Sequence, residues 1–90
     1  MKKFLIELEH EPVKEACNLA VKTLLSTGSH FLTNADWGCK DNDHRCWIVV
    51  EMENRDEARA VLPPIYKNDA KIIELVRFTL DDFQKAENHK

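Results

Sequence analysis

Apolar and polar residues alternate at the start of the chain: Phe4, Ile6 and Leu8 share one parity, while Glu7 and Glu9 fall on the other with Leu5. A period of two predicts a strand with one apolar face, and His10 continues the apolar parity past Leu8. From Pro12 the repeat lengthens, with Val13, Cys17, Ala20 and Leu24 recurring at spacings of four, three and four. That is the stripe of an amphipathic helix. Pro12 offers a preset φ at the first helical position and Gly28 offers a left-handed residue at the end, so the helix is expected over about 12–27.

Two further apolar runs, about 30–37 and about 44–51, read as the second and third strands, the latter centred on Trp47, Ile48, Val49 and Val50. The polar stretch Cys39 to Asp43 between them predicts a hairpin turn, with Gly38 placed for a bulge. Asn54 and Glu57 have the spacing of a capping box and open a second helix, which Pro63 and Pro64 end. The fourth strand is expected over about 71–78 with apolar residues on both parities: Ile72, Val76 and Phe78 on one, Ile73 and Leu75 on the other. A Thr79 cap and a short helix from Leu80 to about Glu87 lead into a polar tail containing His89.

The order β-α-β-β-α-β in a single domain of 90 residues predicts an α+β ferredoxin-like plait. Its core spans about 3–78, with a C-terminal helix and tail over 79–90. Both main helices lie on one face of a four-stranded antiparallel sheet of order 4-1-3-2. A sheet with one wet face alternates cleanly, yet strands three and four are apolar on both parities. Something is expected to cover the second face. A second copy meeting it about a two-fold axis is the leading expectation, with the C-terminal helix of a monomer as the rival. Glu7, Glu9 and Glu51 on that face argue against a dry interface unless they are paired.

Composition narrows the partners. A net charge of −3 spread over mixed charges lacks the basic stripe that binds phosphate backbones, so nucleic acid is not an expected partner. The apolar runs are far shorter than the roughly 20 residues of a membrane span, and Met1-Lys2-Lys3 leads into too short an apolar run for a secretory signal. The expectation is a cytoplasmic protein. Cys17, Cys39 and Cys46 are an odd number, read as thiols or ligands more than a disulfide framework, with a Cys39–Cys46 bridge across the hairpin as the alternative.

The candidate chemistry follows from topology. If strands one and three are antiparallel neighbours, His10 meets His44 and the hairpin tip. His10, Cys39 and His44 then form a candidate set for a zinc-type divalent metal, or line a small-molecule pocket. A two-residue Asp41-Asn42 turn would put Cys39 opposite His44. Cys39 is the one cysteine expected to be exposed, with a neighbouring imidazole lowering its pKa. Cys17 reads as helix packing and Cys46 as packing beside Trp47. His10 and His44 are equally candidates for satisfied structural residues, Trp37 and Trp47 for core. His10, Asp36 and His44 are the candidate catalytic residues, a histidine serving as base and Asp36 orienting it. His30 is expected at the other end of the sheet.

Ser29-His30-Phe31, Ala35-Asp36-Trp37-Gly38-Cys39, His44, Trp47, Glu57-Ala58-Arg59, Leu62-Pro63-Pro64 and Ala70-Lys71-Ile72 resemble a family of small uncharacterised prokaryotic ferredoxin-like proteins. The likeness runs to Phe78 and implies a fold and a hairpin signature, without a reaction. The plait is also similar in architecture to the dimeric α/β barrel superfamily, which includes muconolactone isomerases, antibiotic-type monooxygenases and YCII-like proteins. That likeness is one of architecture and carries no catalytic role; the competing readings are a small enzyme of this barrel type using a histidine base on a small organic acid or lactone, and a non-catalytic structural or regulatory dimer. The latter would bind a protein partner through an exposed Trp37.

Overall fold

A computed structural model describes residues 1–88. The His89 tail lies outside the described residues. The elements are β1 (Lys2–Glu9), α1 (Lys14–Ser26), α2 (His30–Thr33), β2 (Asp36–Trp37), β3 (Arg45–Met52), α3 (Arg55–Ala60), α4 (Pro64–Lys67), β4 (Lys71–Leu75) and α5 (Leu80–Asn88). The four strands form one antiparallel sheet of order β2-β3-β1-β4, which is the expected order read from the opposite edge.

Register decides which side chains meet. Phe4, Ile6 and Leu8 of β1 lie opposite Val50, Ile48 and Cys46 of β3, and Ile6 also faces Ile72 of β4. These residues share one face of the sheet. Together with Leu24 of α1, Leu32 of α2, Ala58 of α3 and Leu62 they form the buried core. Fully burying side chains of this size is worth about 1.5–3 kcal/mol each, so the helical layer on this face supplies the main drive to fold.

The second parity makes the open face. Asp36, Trp47, Glu7 and Lys71 form one row across it, and Val49, Leu5 and Ile73 form an apolar row beside it. Val49 is 52% exposed. The acidic residues that threatened this face are partly neutralised: Glu7 accepts a hydrogen bond from the Trp47 indole N–H at 3.0 Å and from Arg45 Nη1 at 3.5 Å. The Arg45 guanidinium also stands 5.4 Å from the Trp47 ring centre. Trp47 is therefore half-buried on the open face and not a core residue, while Trp37 packs against the core from the helical side.

Three boundaries differ from the pattern. The expected second strand over 30–37 is mostly a helical turn, and only Asp36 and Trp37 are extended. Its apolar residues satisfied a strand reading, but Ser29 caps the turn by accepting from the Leu32 N–H. Thr33 and Asn34 then return side-chain hydrogen bonds to the carbonyls of Ser29 and His30. Local polar bonds decide a segment this short. Pro12 lies outside α1, because the Val13 N–H closes a tight turn on the Glu11 carbonyl at 2.8 Å and Val13 itself is the extended cap. β4 stops at Leu75, which pairs with Lys3 near the start of β1. Val76 and Phe78, 65% and 67% exposed, run past the partner strand, and Phe78 packs on Phe83 of α5 at 5.7 Å.

The caps follow the sequence closely. Asn54 accepts from the Glu57 N–H at 2.9 Å, and the Glu57 carboxylate reaches back to the Glu53 N–H at 3.1 Å. Pro63 and Pro64 end α3 and open α4, with Pro64 at its first position. Arg59 ties this corner together by donating to the carbonyls of Lys67 and Ala70. Gly28 has φ +71°, the left-handed conformation expected after α1. No helix among the described residues is long and apolar enough to cross a membrane.

Candidate metal centre at the hairpin tip

The β1–β3 ladder continues one step beyond its last strand pair. Glu9 faces Arg45, and the His10 N–H then donates to the His44 carbonyl at 3.0 Å. The two histidines thus stand on the parity of Leu8 and Cys46, at the rim of the core. Their ring centres are 5.6 Å apart in an edge-to-face arrangement, and Trp37 flanks His10 at 6.3 Å.

Cys39 enters from the hairpin, which is longer than the two-residue turn expected. Residues Cys39–Asp41 form a short 3-10 turn, closed by Asn42 in the left-handed conformation at φ 61°. The Gly38 carbonyl accepts from both Asp41 and Asp43, and the Gly38 N–H donates to Arg45. Gly38 is required here by space: a Cβ would lie 2.7 Å from the Asp43 carbonyl oxygen and 3.1 Å from the Trp47 ring. Arg45 clamps the turn through two 2.7 Å bonds to the Asp43 carboxylate, which hold that carboxyl below its ordinary pKa. His44 is therefore not bonded to Asp43.

One ring nitrogen of His10, one of His44 and the Cys39 sulfur all lie within 4.8 Å of one another. Hydrogen bonding assigns the lone pairs. His10 Nδ1 donates to the Glu11 carbonyl at 2.9 Å, so Nε2 carries the lone pair, and it faces Cys39 Sγ at 3.1 Å. His44 Nε2 donates to Asn42 Oδ1 at 3.2 Å, which leaves Nδ1 as the lone pair. That Nδ1 is buried and has no hydrogen-bond partner. Backbone or amide acceptors on the far nitrogen are the usual way a ligating imidazole is oriented.

The Cys39 thiol is pushed up to about 11, first by burial and then by the neighbouring Cys17 thiol. This corrects the expectation of a lowered pKa. Desolvation outweighs the other influences on the thiol, which stays protonated and donates to His10 Nε2. Cys46 is fully buried, and its thiol is pushed up to about 12 by burial, in keeping with packing. All three cysteines are free, so the alternative Cys39–Cys46 bridge is not formed.

Of the expected site residues, His10, Cys39 and His44 come together and Asp36 does not. Asp36 is exposed on the edge strand, opposite Trp47 on the other face of the sheet. His30 borders a surface hollow with Met1 and Glu51, at the far end of the sheet as expected. Cys17 is the residue the pattern misplaced: it is half-buried, outside the core cluster, and its thiol is close enough to Cys39 to act on its ionisation. Its position in the first turns of α1, just after β1 delivers His10, was the available signal. An open polar cleft of about 570 Å³ runs past His10 and His44, walled by Glu9, Pro12 and the turn residues 41–45.

No protein-family model matches the chain, and neither does any curated protein or solved structure. The chemical reading therefore rests on the geometry. Two imidazole nitrogens and one sulfur are the donors a borderline-soft ion such as Zn²⁺ prefers. Bond lengths of 2.0–2.3 Å in a tetrahedron put such donors about 3.3–3.8 Å apart. The three groups here bracket that spacing.

Proposed function

We propose that this chain is a small ferredoxin-like domain that binds a zinc-type divalent ion through His10, Cys39 and His44. The observation that carries the reading is the buried, unpartnered Nδ1 of His44 beside the His10–Cys39 pair. A buried acceptor left unsatisfied costs about 1–3 kcal/mol, and a shared ion removes that cost. The sheet order and the two connections between its strand pairs support the plait, with α2 and α4 as short additions. Three free cysteines support a reducing, cytoplasmic setting. The test is zinc retention after gel filtration: about one ion per chain is expected, lost in His44→Ala and Cys39→Ala. No retention by the unaltered protein removes the proposal. The general-base enzyme has less support, because Asp36 is remote and His10 Nε2 already faces Cys39.

We also infer a homodimer through the open sheet face. The row Val49, Leu5 and Ile73 supports it, and Val76, Phe78, Leu80 and Phe83 leave further apolar surface exposed. An apolar row on an open sheet face is the kind of surface that marks an interface. Light scattering on the unaltered protein is expected to give twice the chain mass, and Val49→Lys to halve it. A monomer at micromolar concentration overturns the dimer and leaves the metal proposal standing.

A further inference from the structure

The sheet has a gap along one edge. β2 pairs only with Cys46 and Trp47, so β3 from Ile48 to Met52 has β1 on one side and no strand on the other. The ladder fixes which backbone groups face that gap. The His44 carbonyl accepts from His10 on the β1 side and the Arg45 carbonyl accepts from Gly38 on the β2 side, so by alternation Val49 and Glu51 turn their N–H and C=O outward. Among the described residues no backbone bond meets them. Beside them lies a hollow of about 610 Å³, lined by residues 48–51 and by His30, Phe31 and Asn34 of the α2 segment. A second run of backbone is unmatched in the same way. By the same alternation Leu5 and Lys3 bond Ile73 and Leu75 of β4, and the next residue of that parity, Arg77, lies past the start of β1. Val76 and Phe78, on the other parity, are exposed.

The two runs match in one register. Set antiparallel, the sense of every other pair in this sheet, with Arg77 opposite Glu51, the segment places Phe78 opposite Val50 and Val76 opposite Met52. Phe78 and Val76 then take the helix-side parity, at the hollow beside Phe31, while Arg77 and Glu51 meet on the open face as opposite charges. Both are exposed, and neither makes an ion pair among the described residues. Within one chain the two runs lie on opposite sides of β1, so the added strand has to come from a second copy. We propose that segment 76–78 of one copy adds to the free edge of β3 in its partner and clasps the dimer there. This rests on the homodimer reading and adds a backbone contact to the packing of open faces. The added strand is short, because Thr79 commits both its N–H and its carbonyl to Asp82 at the start of α5. Its backbone bonds supply affinity, and its alternate side chains fix the register.

Sedimentation equilibrium of the full chain gives the dimer dissociation constant. Glu51→Arg and Arg77→Glu are each expected to weaken the dimer about 5-fold, and the double variant to return to within about 2-fold of the unaltered protein. Glu51→Pro is expected to weaken it about 10-fold with an unchanged far-ultraviolet circular dichroism spectrum, because the N–H it removes has no partner within the chain. The charge pair decides the matter where the proline variant fails to fold. Single reversals that leave the constant unchanged, or a double variant no tighter than the weaker single, overturn the strand addition and leave the face-packed dimer standing. A proline variant that folds and dimerises as tightly as the unaltered protein overturns it as well. If the unaltered protein is a monomer, the dimer and the strand addition fall together.

Discussion

His10 Nε2 stands 3.1 Å from Cys39 Sγ, although the two residues are 29 positions apart in the chain. The pair joins the end of the central strand to the hairpin of its neighbour. It is a neutral thiol–imidazole contact, since the ring proton is committed to the Glu11 carbonyl at 2.9 Å and burial raises the thiol pKa to about 11.

That protonation state predicts slow alkylation. Iodoacetamide reacts with the thiolate, so at pH 7.5 the metal-free Cys39 should react roughly two orders of magnitude more slowly than an unperturbed cysteine. Its rate should climb about tenfold per pH unit toward pH 10. Mass spectrometry of timed digests gives the rate for each cysteine. A plateau already reached by pH 8 would show an imidazole-activated thiolate and contradict the assignment.

Asn42 holds two duties that substitution can separate. It adopts φ 61° in the turn and accepts the Nε2 proton of His44 at 3.2 Å. Asn42→Gly suits the left-handed backbone, so the thermal midpoint should hold, while zinc affinity should fall about 10-fold because the ring loses its orienting acceptor. Asn42→Asp keeps an oxygen there and should keep the affinity. Equal affinity in all three proteins would remove Asn42 from the site.

Gly38→Ala should be costly for steric reasons. The added Cβ meets the Asp43 carbonyl oxygen at 2.7 Å and the Asp43 Cβ at 3.0 Å, both parts of the same clamped turn. Crowding of this kind costs about 1–3 kcal/mol, read as a lower urea midpoint with an unchanged slope. A loss under about 0.5 kcal/mol would mean that the turn opens freely and that the Cys39 position is not imposed by it.

Glu7 is predicted to stabilise the open face through the Trp47 indole and not chiefly through charge. Glu7→Leu leaves the indole N–H without its 3.0 Å acceptor and should cost about 1 kcal/mol. Glu7→Gln retains an oxygen and should cost less, since the Arg45 contact at 3.5 Å is long and half-exposed. Comparable losses in the two variants would assign the stability to the ion pair instead.

Much of this arrangement was legible before any coordinates. The apolar parity of Phe4, Ile6 and Leu8 continues into His10, and that of Val50, Ile48 and Cys46 continues back to His44. Because the side-chain period of a strand is two, pairing the strands antiparallel forces the two histidines to the same face and the same end. The segment at 30–37 was harder: Phe31 and Leu32 fit either period, and the cap at Ser29 competed with the ladder over too few residues for the pattern to choose. Cys17 was misread for a different reason. Its place on the helical stripe is real, but that stripe extends past the core edge, so Cys17 is half-buried there and lies outside the core cluster.

Alternation and spacing along the chain therefore determined the antiparallel sheet, its order, the capped turn at Asn54 and the meeting of His10 with His44. Only the folded molecule decided the turn geometry that carries Cys39 inward and the hydrogen bonds that select which nitrogen of each ring is free. The physical reason is range. Strand parity and helix caps are set by bonds between near neighbours or between whole ladders, which periodicity records. Lone-pair direction and thiol ionisation depend instead on single acceptors and on burial, which exist only once distant segments have packed.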